Sequence, residues 1–195
     1  MPNTSATGGL LTPNPTPAPL EDDLLLNFIQ EWIVGLTGLV GANVRPRWQP
    51  EPPNIPQESV DWVAFGITKR VADTFAAELH YPTGNGYNEI RRHEVLHLLA
   101  SFYGPHASSI GARFRDGMQV AQNLEILSLN NMGLVESGDL HLVPELIKEK
   151  WMYRTDLPFS IRRQIVQYYA VQNIATAAAT VNNEIYTEAI TIVPH

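Results

Sequence analysis

Two long extended runs flank a glycine turn between Val60 and Tyr103, and they constrain this chain more than any other feature. Residues 60–81 (VDWVAFGITKRVADTFAAELHY) are rich in β-branched and aromatic side chains. PTGNGY then supplies Gly and Asn where a tight reversal needs them, and 88–103 is extended again. The expectation is one long β-hairpin over 60–103. Its second arm carries His93-Glu94-Val95-Leu96-His97, which spells H-E-x-x-H. On a helix, that spacing would put both histidines on one face, able to bind Zn²⁺ while the Glu activates a bound water. The period of the segment therefore decides its chemistry.

Several features select a strand. No capping box or run of strong helix formers opens the segment, and it lies between the glycine turn and Tyr103-Gly104-Pro105. In a strand, Glu94, Leu96, Leu98, Ala100 and Phe102 point one way, and His93, Val95, His97, Leu99, Ser101 and Tyr103 the other. The two histidines then stand about 13 Å apart, at ~3.3 Å per residue, too far to share one zinc ion. A third ligand is also wanting. The extended zinc motif would need Gly at 100 and His at 103, where the chain has Ala100 and Tyr103, and Glu125 is only a permissible substitute. Arg91 and Arg92 would set positive charge beside the metal.

The rest of the chain divides by composition. Residues 1–19 are rich in Pro, Thr, Asn and Gly and read as a flexible arm, residues 20–175 as the folded domain, and 176–195 as a C-terminal tail. Leu25, Phe28, Ile29, Trp32, Ile33 and Leu36 recur at helical spacing over Leu20–Leu39. Acidic Glu21, Asp22 and Asp23 lie at the start of that helix, and Gly38 or Gly41 stops it. Five prolines in 43–57 leave room for no more than a short edge strand. Residues 107–131 read as one or two helices, with Ile110, Phe114 and Met118 in one stripe, Leu124 and Leu127 in another, and Gly117 between them. GLVESGDLHLV is extended, and the stretch from Lys150 to Ile174 favours strand despite Pro158 near its middle.

Charge and residue counts exclude several function classes. A net charge of −7 argues against a protein that grips nucleic acid by neutralising phosphates, while leaving room for one that lets DNA pass. With no cysteine, disulfides, thiolate zinc sites and a Cys nucleophile are ruled out. The N-terminus lacks the basic start and apolar core of a signal peptide, and Asn27, Gln30, Glu31 and Gly35 interrupt the apolar stretch Leu24–Val40, so the reading is a soluble, unexported chain without a membrane span. No phosphate loop, no G-x-S-x-G elbow and no paired acidic nuclease motif is present. The doublets Lys69-Arg70, Arg91-Arg92 and Arg162-Arg163 are expected as solvated or interface pairs rather than parts of a nucleic-acid groove.

In order along the chain, WVAFGIT (62–68), RRHEVLHLLASFYGPHA (91–107), ARFRDGMQVAQNLEIL (112–127), NNMGLV (130–135) and PELIKEKWMYRTDLP (144–158) resemble the neck or tail-terminator proteins of contractile-tailed bacteriophages. FYGP followed by RDG and W-x-x-R-x-D is the most specific part. The resemblance implies an α/β (α+β) protomer, a twisted sheet with helices packed on one face; the residue patterns add that the sheet is mainly antiparallel with a long β-hairpin and that an extended N-terminal arm precedes it. It implies a structural virion protein rather than an enzyme, with no catalytic residue, cofactor or metal. Six copies would form a homo-hexameric ring on the tail tube at the neck of the virion, assembled in the host cytoplasm. The ring would join tube and sheath proteins to head-side connector or collar proteins, with DNA passing through its channel and no membrane involved. Phe102, Tyr103, Arg113, Arg115, Asp116, Trp151, Arg154 and Asp156 stand in the matching blocks and are candidate subunit-interface anchors by their aromatic and Arg character. The competing assignment puts Phe102 and Trp151 in the protomer core and the charges in intrachain pairs. Two rivals come from other classes: a zinc metallopeptidase using HEVLH, and a binding module using the Pro-rich arm.

Overall fold

The computed structural model describes residues 3–14, 20–51, 53–147, 150–173, 177–182 and 187–192, in an α+β fold of helices and a mixed seven-stranded sheet. Two compact units are present: Pro19–Ala76 with Arg92–Ile165, and Met1–Ala18 with Ala77–Arg91 and Val166–His195.

The larger unit opens with helix α1 (Asp22–Thr37). Asp22 and Asp23 in its first turn favour the positive helix end, and Gly38, at φ 73°, stops it by donating its N–H to the Val34 carbonyl. Leu25, Ile29, Trp32, Ile33 and Leu36 form its buried stripe, as their spacing predicts. Strand β1 (Val44–Pro46) is short and runs parallel to β2 (Trp62–Ala72). Beyond β3 (Ala77–Tyr81) comes the long β4 (Tyr87–Tyr103), followed by α2 (Ala107–Gly117) and α3 (Ala121–Ser128). Then come β5 (Met132–Ser137), β6 (His141–Leu142), the small ribbon of β7 (Glu145–Ile147) and β8 (Lys150–Met152), and β9 (Arg154–Tyr169). The sheet order is β1-β2-β4-β9-β5, with β6 also on β9.

Strand alternation builds the core. Val63 and Phe65 on β2, Leu96, Leu98, Ala100 and Phe102 on β4, and Leu157, Phe159 and Ile161 on β9 share one buried cluster with α1 and α2. Phe114 of α2 lies at its centre, within 5.7 Å of the Trp32 and Phe102 rings and 5.5 Å of Phe159. Edge-to-face geometry with Trp32 and Phe159 adds a quadrupolar term to the burial.

The hairpin differs from the expected continuous one. β4 takes two partners in turn: β2 pairs along Glu94–Tyr103, with a bulge between Ile67 and Lys69, and β3 pairs along Tyr87–Arg91. Residues 73–76 lie between the two ladders, opposite only Arg92 and His93 of β4, and the Asp73 N–H still meets the His93 carbonyl in continuation of the β2 register. Pro158 is accommodated inside β9 because it falls between the residues that pair with β5, ending at Phe159, and those that pair with β6, beginning at Asp156.

In the smaller unit, the β3–β4 turn uses positive φ at Gly84 and Gly86. Tyr81 and Tyr87 stack at 5.1 Å, and Tyr168 meets Tyr87 edge-on. Residues 3–14, the described part of the expected arm, bond to the end of β9 and the residue just after it: Asn14 N–H to Tyr168 O and Ser5 N–H to Ala170 O. Within the expected tail, β10 (Ala177–Asn182) and β11 (Thr187–Ile192) pair antiparallel, and the remaining residues of 1–19 and 176–195 lie outside the described ones. Among the described residues, no helix is long and apolar enough to cross a membrane.

Candidate functional site

HEVLH lies on β4, and alternation separates its members. Glu94 is buried on the core face, where it accepts from the Arg163 Nε–H. Arg163 also donates to Glu21 Oε1 at 2.6 Å and to the Leu20 carbonyl, and its side chain is only 2% exposed. Glu94 is therefore committed to an ion pair and is not poised over solvent. This corrects the expected solvated or interface role for Arg163: strand period places it inward at the edge of the core, where only a carboxylate partner makes burial tolerable.

His93 and His97 project from the other face. His97 Nδ1 lies 3.0 Å from Ser160 Oγ, and that hydroxyl donates to Glu136 Oε1 at 3.1 Å. The trio contains the residue types of an acyl-transfer triad in the wrong order. There, the acid orients the histidine and the histidine receives the serine proton. Here the serine proton goes to Glu136, and Nδ1–H donates to Oγ. Ser160 is also 2% exposed. Among the described residues, no group of three or more His, Asp or Glu is placed to hold a metal ion, and the metallopeptidase reading finds no support. An open groove of about 570 Å³ lies beside α1, lined by Gln30, Arg45, Arg47, Trp48 and several prolines. Its lining holds no paired acid and base.

A denser constellation occupies the helix-free face of the sheet. The Trp62 and Tyr103 rings, paired across β2 and β4, stack at 4.2 Å with 8° between their planes. Arg45 lies 6.0 Å from the Trp62 centroid, and Arg154 5.7 Å from that of Tyr103. The result is two aromatic planes between two guanidinium groups, a favourable use of the ring quadrupoles. Arg154 forks onto Asp156, Nε to Oδ1 at 2.8 Å and Nη2 to Oδ2 at 2.9 Å, and donates Nη1 to Glu145. Ser101 accepts from Arg47 and donates to Asp156, joining β4 and β9. The hydrogen bond that Arg154 donates to Asp156 is the main cause raising the Arg154 pKa above its already high ordinary value. Burial raises that of the Tyr103 hydroxyl. Arg154 thus holds its charge and Tyr103 its phenolic proton more firmly than either group does free in water.

Of the eight anchors expected from sequence, Tyr103, Arg154 and Asp156 meet in this cluster. Phe102 is fully buried in the protomer core against Phe114, as the competing assignment had it. Arg113 donates to the Thr37 carbonyl at 3.1 Å, supplying the cation that the last turn of α1 lacks. Arg115 and Asp116 form an exposed pair at 3.3 Å. Trp151 stands apart on β8, opposite Leu146, and both are exposed, at 67% and 60%. Trp62, Arg45, Arg47, Ser101 and Glu145 escaped the sequence reading. Ser101 alone carried a signal there, as a polar residue beside Tyr103 on the same strand face.

No curated protein matches the chain. A family model described as phage neck terminator protein matches residues 23–187, a span that takes in α1, every strand of the sheet and the Trp62–Tyr103–Arg154 cluster. With that match over most of its length, this chain belongs to the phage neck terminator protein family.

Proposed function

We propose that six copies of this structural neck protein close into a ring on the end of the tail tube. The ring joins tube and sheath to the head-side connector or collar and leaves a channel through which DNA passes; the protein has no enzymatic activity. The family match carries this reading. Two physical features support it. An acidic chain does not hold a polyanion tightly, which suits a lumen that DNA must traverse. Leu142, Leu146, Trp151 and Tyr153 are each at least 60% exposed within a dozen residues, more large apolar surface than a lone protomer needs to show. In a head-to-tail ring, each copy presents one such surface to a different surface of the next. Tyr103, Arg113, Arg115, Asp116, Arg154 and Asp156 are proposed as the rim of that contact. Assembly takes place in the host cytoplasm.

Imaging of intact particles tests the proposal. Six copies around the axis between head and tail are expected, and Trp151→Ser should leave the protomer folded while producing particles with unjoined heads and tails. Finding the protein in the capsid interior or at the baseplate would sink the reading, as would normal joining with Trp151→Ser.

A further inference from the structure

His80 on β3 is held from both sides by oxygen. Its Nδ1 is 2.6 Å from Asn88 Oδ1, and its Nε2 is 2.9 Å from Asn173 Oδ1. The orientation of each amide is fixed by its other bonds. Asn173 Nδ2 donates to the Pro82 carbonyl at 2.9 Å and to the Gly84 carbonyl at 3.3 Å. Asn88 Nδ2 donates to Glu78 Oε1. Turning either amide over would aim its oxygen at another oxygen, two carbonyls in one case and a carboxylate in the other. Both ring nitrogens therefore face acceptors, and only an imidazolium has two N–H groups to give them. A neutral ring would leave a lone pair against an amide oxygen.

We propose that His80 is a proton-operated clasp: its imidazolium ties the β3–β4 turn to the segment Val171–Asn173, and loss of the proton as pH rises releases that segment. The surroundings favour the charged ring. From β3 the charged neighbour is Glu78, which reaches the ring through Asn88; the groups bonded to the ring from β4 and from beyond β9 are the neutral Asn88 and Asn173. The hydrogen bonds donated to Asn88 and then to Asn173 raise the pKa above its ordinary value of 6.5, against a lowering by desolvation. Because the folded value is raised, the clasp is fully closed below pH 6.5 and opens as pH climbs through the raised value. What it holds is well placed to matter. The Asn173 N–H donates to the Asn85 carbonyl at 3.0 Å, and three residues separate Asn173 from the start of β10. The clasp thus secures the near end of the chain that forms the β10–β11 hairpin, whether or not the protein closes into a ring.

The test is an NMR titration of the histidine ring protons of the full chain, with His80 assigned by its absence in His80→Gln. A midpoint above 6.5 is expected. Asn173→Ala, which removes an acceptor, should lower the midpoint. Asn173→Asp, which sets a carboxylate against the same ring Nε2–H, should raise it. In the parent, protection of the Asn173 amide against hydrogen exchange, corrected for base catalysis, should be lost across the same interval and be absent throughout in Asn173→Ala. A midpoint at or below 6.5, or one that neither substitution moves, overturns the clasp.

Discussion

Replacing Glu94 by alanine probes whether the HEVLH glutamate is a structural ion or a reactive one. Removing one partner of a buried pair leaves the other charge uncompensated, at a cost of roughly 3–5 kcal/mol. Arg163 keeps Glu21 at 2.6 Å and the Leu20 carbonyl, so its charge does not lose every partner. The loss should therefore fall at the low end, about 3 kcal/mol. At roughly 2–4 °C per kcal/mol for a chain of this size, the melting temperature drops by about 6–12 °C. Glu94→Gln keeps an acceptor for the Arg163 Nε–H and should cost less. Glu94→Leu combined with Arg163→Met removes both charges and replaces them with side chains of similar volume, and it should recover most of the stability. Urea unfolding followed by tryptophan fluorescence reads all four proteins, because Trp32 is buried in the core next to Phe114 and Phe159. A stability of Glu94→Ala within ~0.5 kcal/mol of the parent, the range of ordinary surface changes, would refute the reasoning. So would a double variant less stable than the single one.

Two further substitutions follow from geometry. Gly104 has φ 110°, and an added Cβ would stand 2.8 Å from the Asp61 Cα and the Val60 carbonyl oxygen, so Gly104→Ala should cost at least about 1–3 kcal/mol in a thermal melt; no change would mean that the turn after β4 is free to relax. Arg154→Lys keeps the charge but cannot fork onto Asp156, and it should lose roughly 1.5–3 kcal/mol, with near-ultraviolet circular dichroism reporting a loosened Trp62–Tyr103 stack; parental stability would show that the fork contributes little.

Much of the fold was legible because single periods governed long stretches. The α1 stripe, the strand through HEVLH, the two short helices around Gly117 and the edge strand after Asn43 all occur where residue spacing places them. The interruption at 73–76 was not legible, because four residues there stand opposite two on β4 and no local signal announces the surplus. Arg163 shows the same limit from another side. As half of a basic doublet it resembles its neighbour Arg162, and only strand alternation combined with the distant Glu94 explains its burial. The polar cluster was half visible. Arg154 and Asp156 sit two apart in one block, whereas Arg47, Ser101 and Trp62 reach them only through sheet order, which the sequence does not state.

The junction at Pro158 has a consequence for how the sheet ends. β5 and β6 both pair antiparallel with β9, and the three residues between them, Gly138–Leu140, stand opposite the shorter Leu157–Pro158, so Met132–Leu142 behaves as one edge strand with an extra residue looped out. A second irregularity falls between Leu134 and Glu136 of the same strand. An edge broken twice in so short a length offers no continuous row of free N–H and C=O groups for a foreign strand to zip onto, which is how natural sheets resist runaway edge-to-edge aggregation. Copies of this protein brought to high concentration can therefore meet through side chains along this edge without fusing their sheets into fibrils.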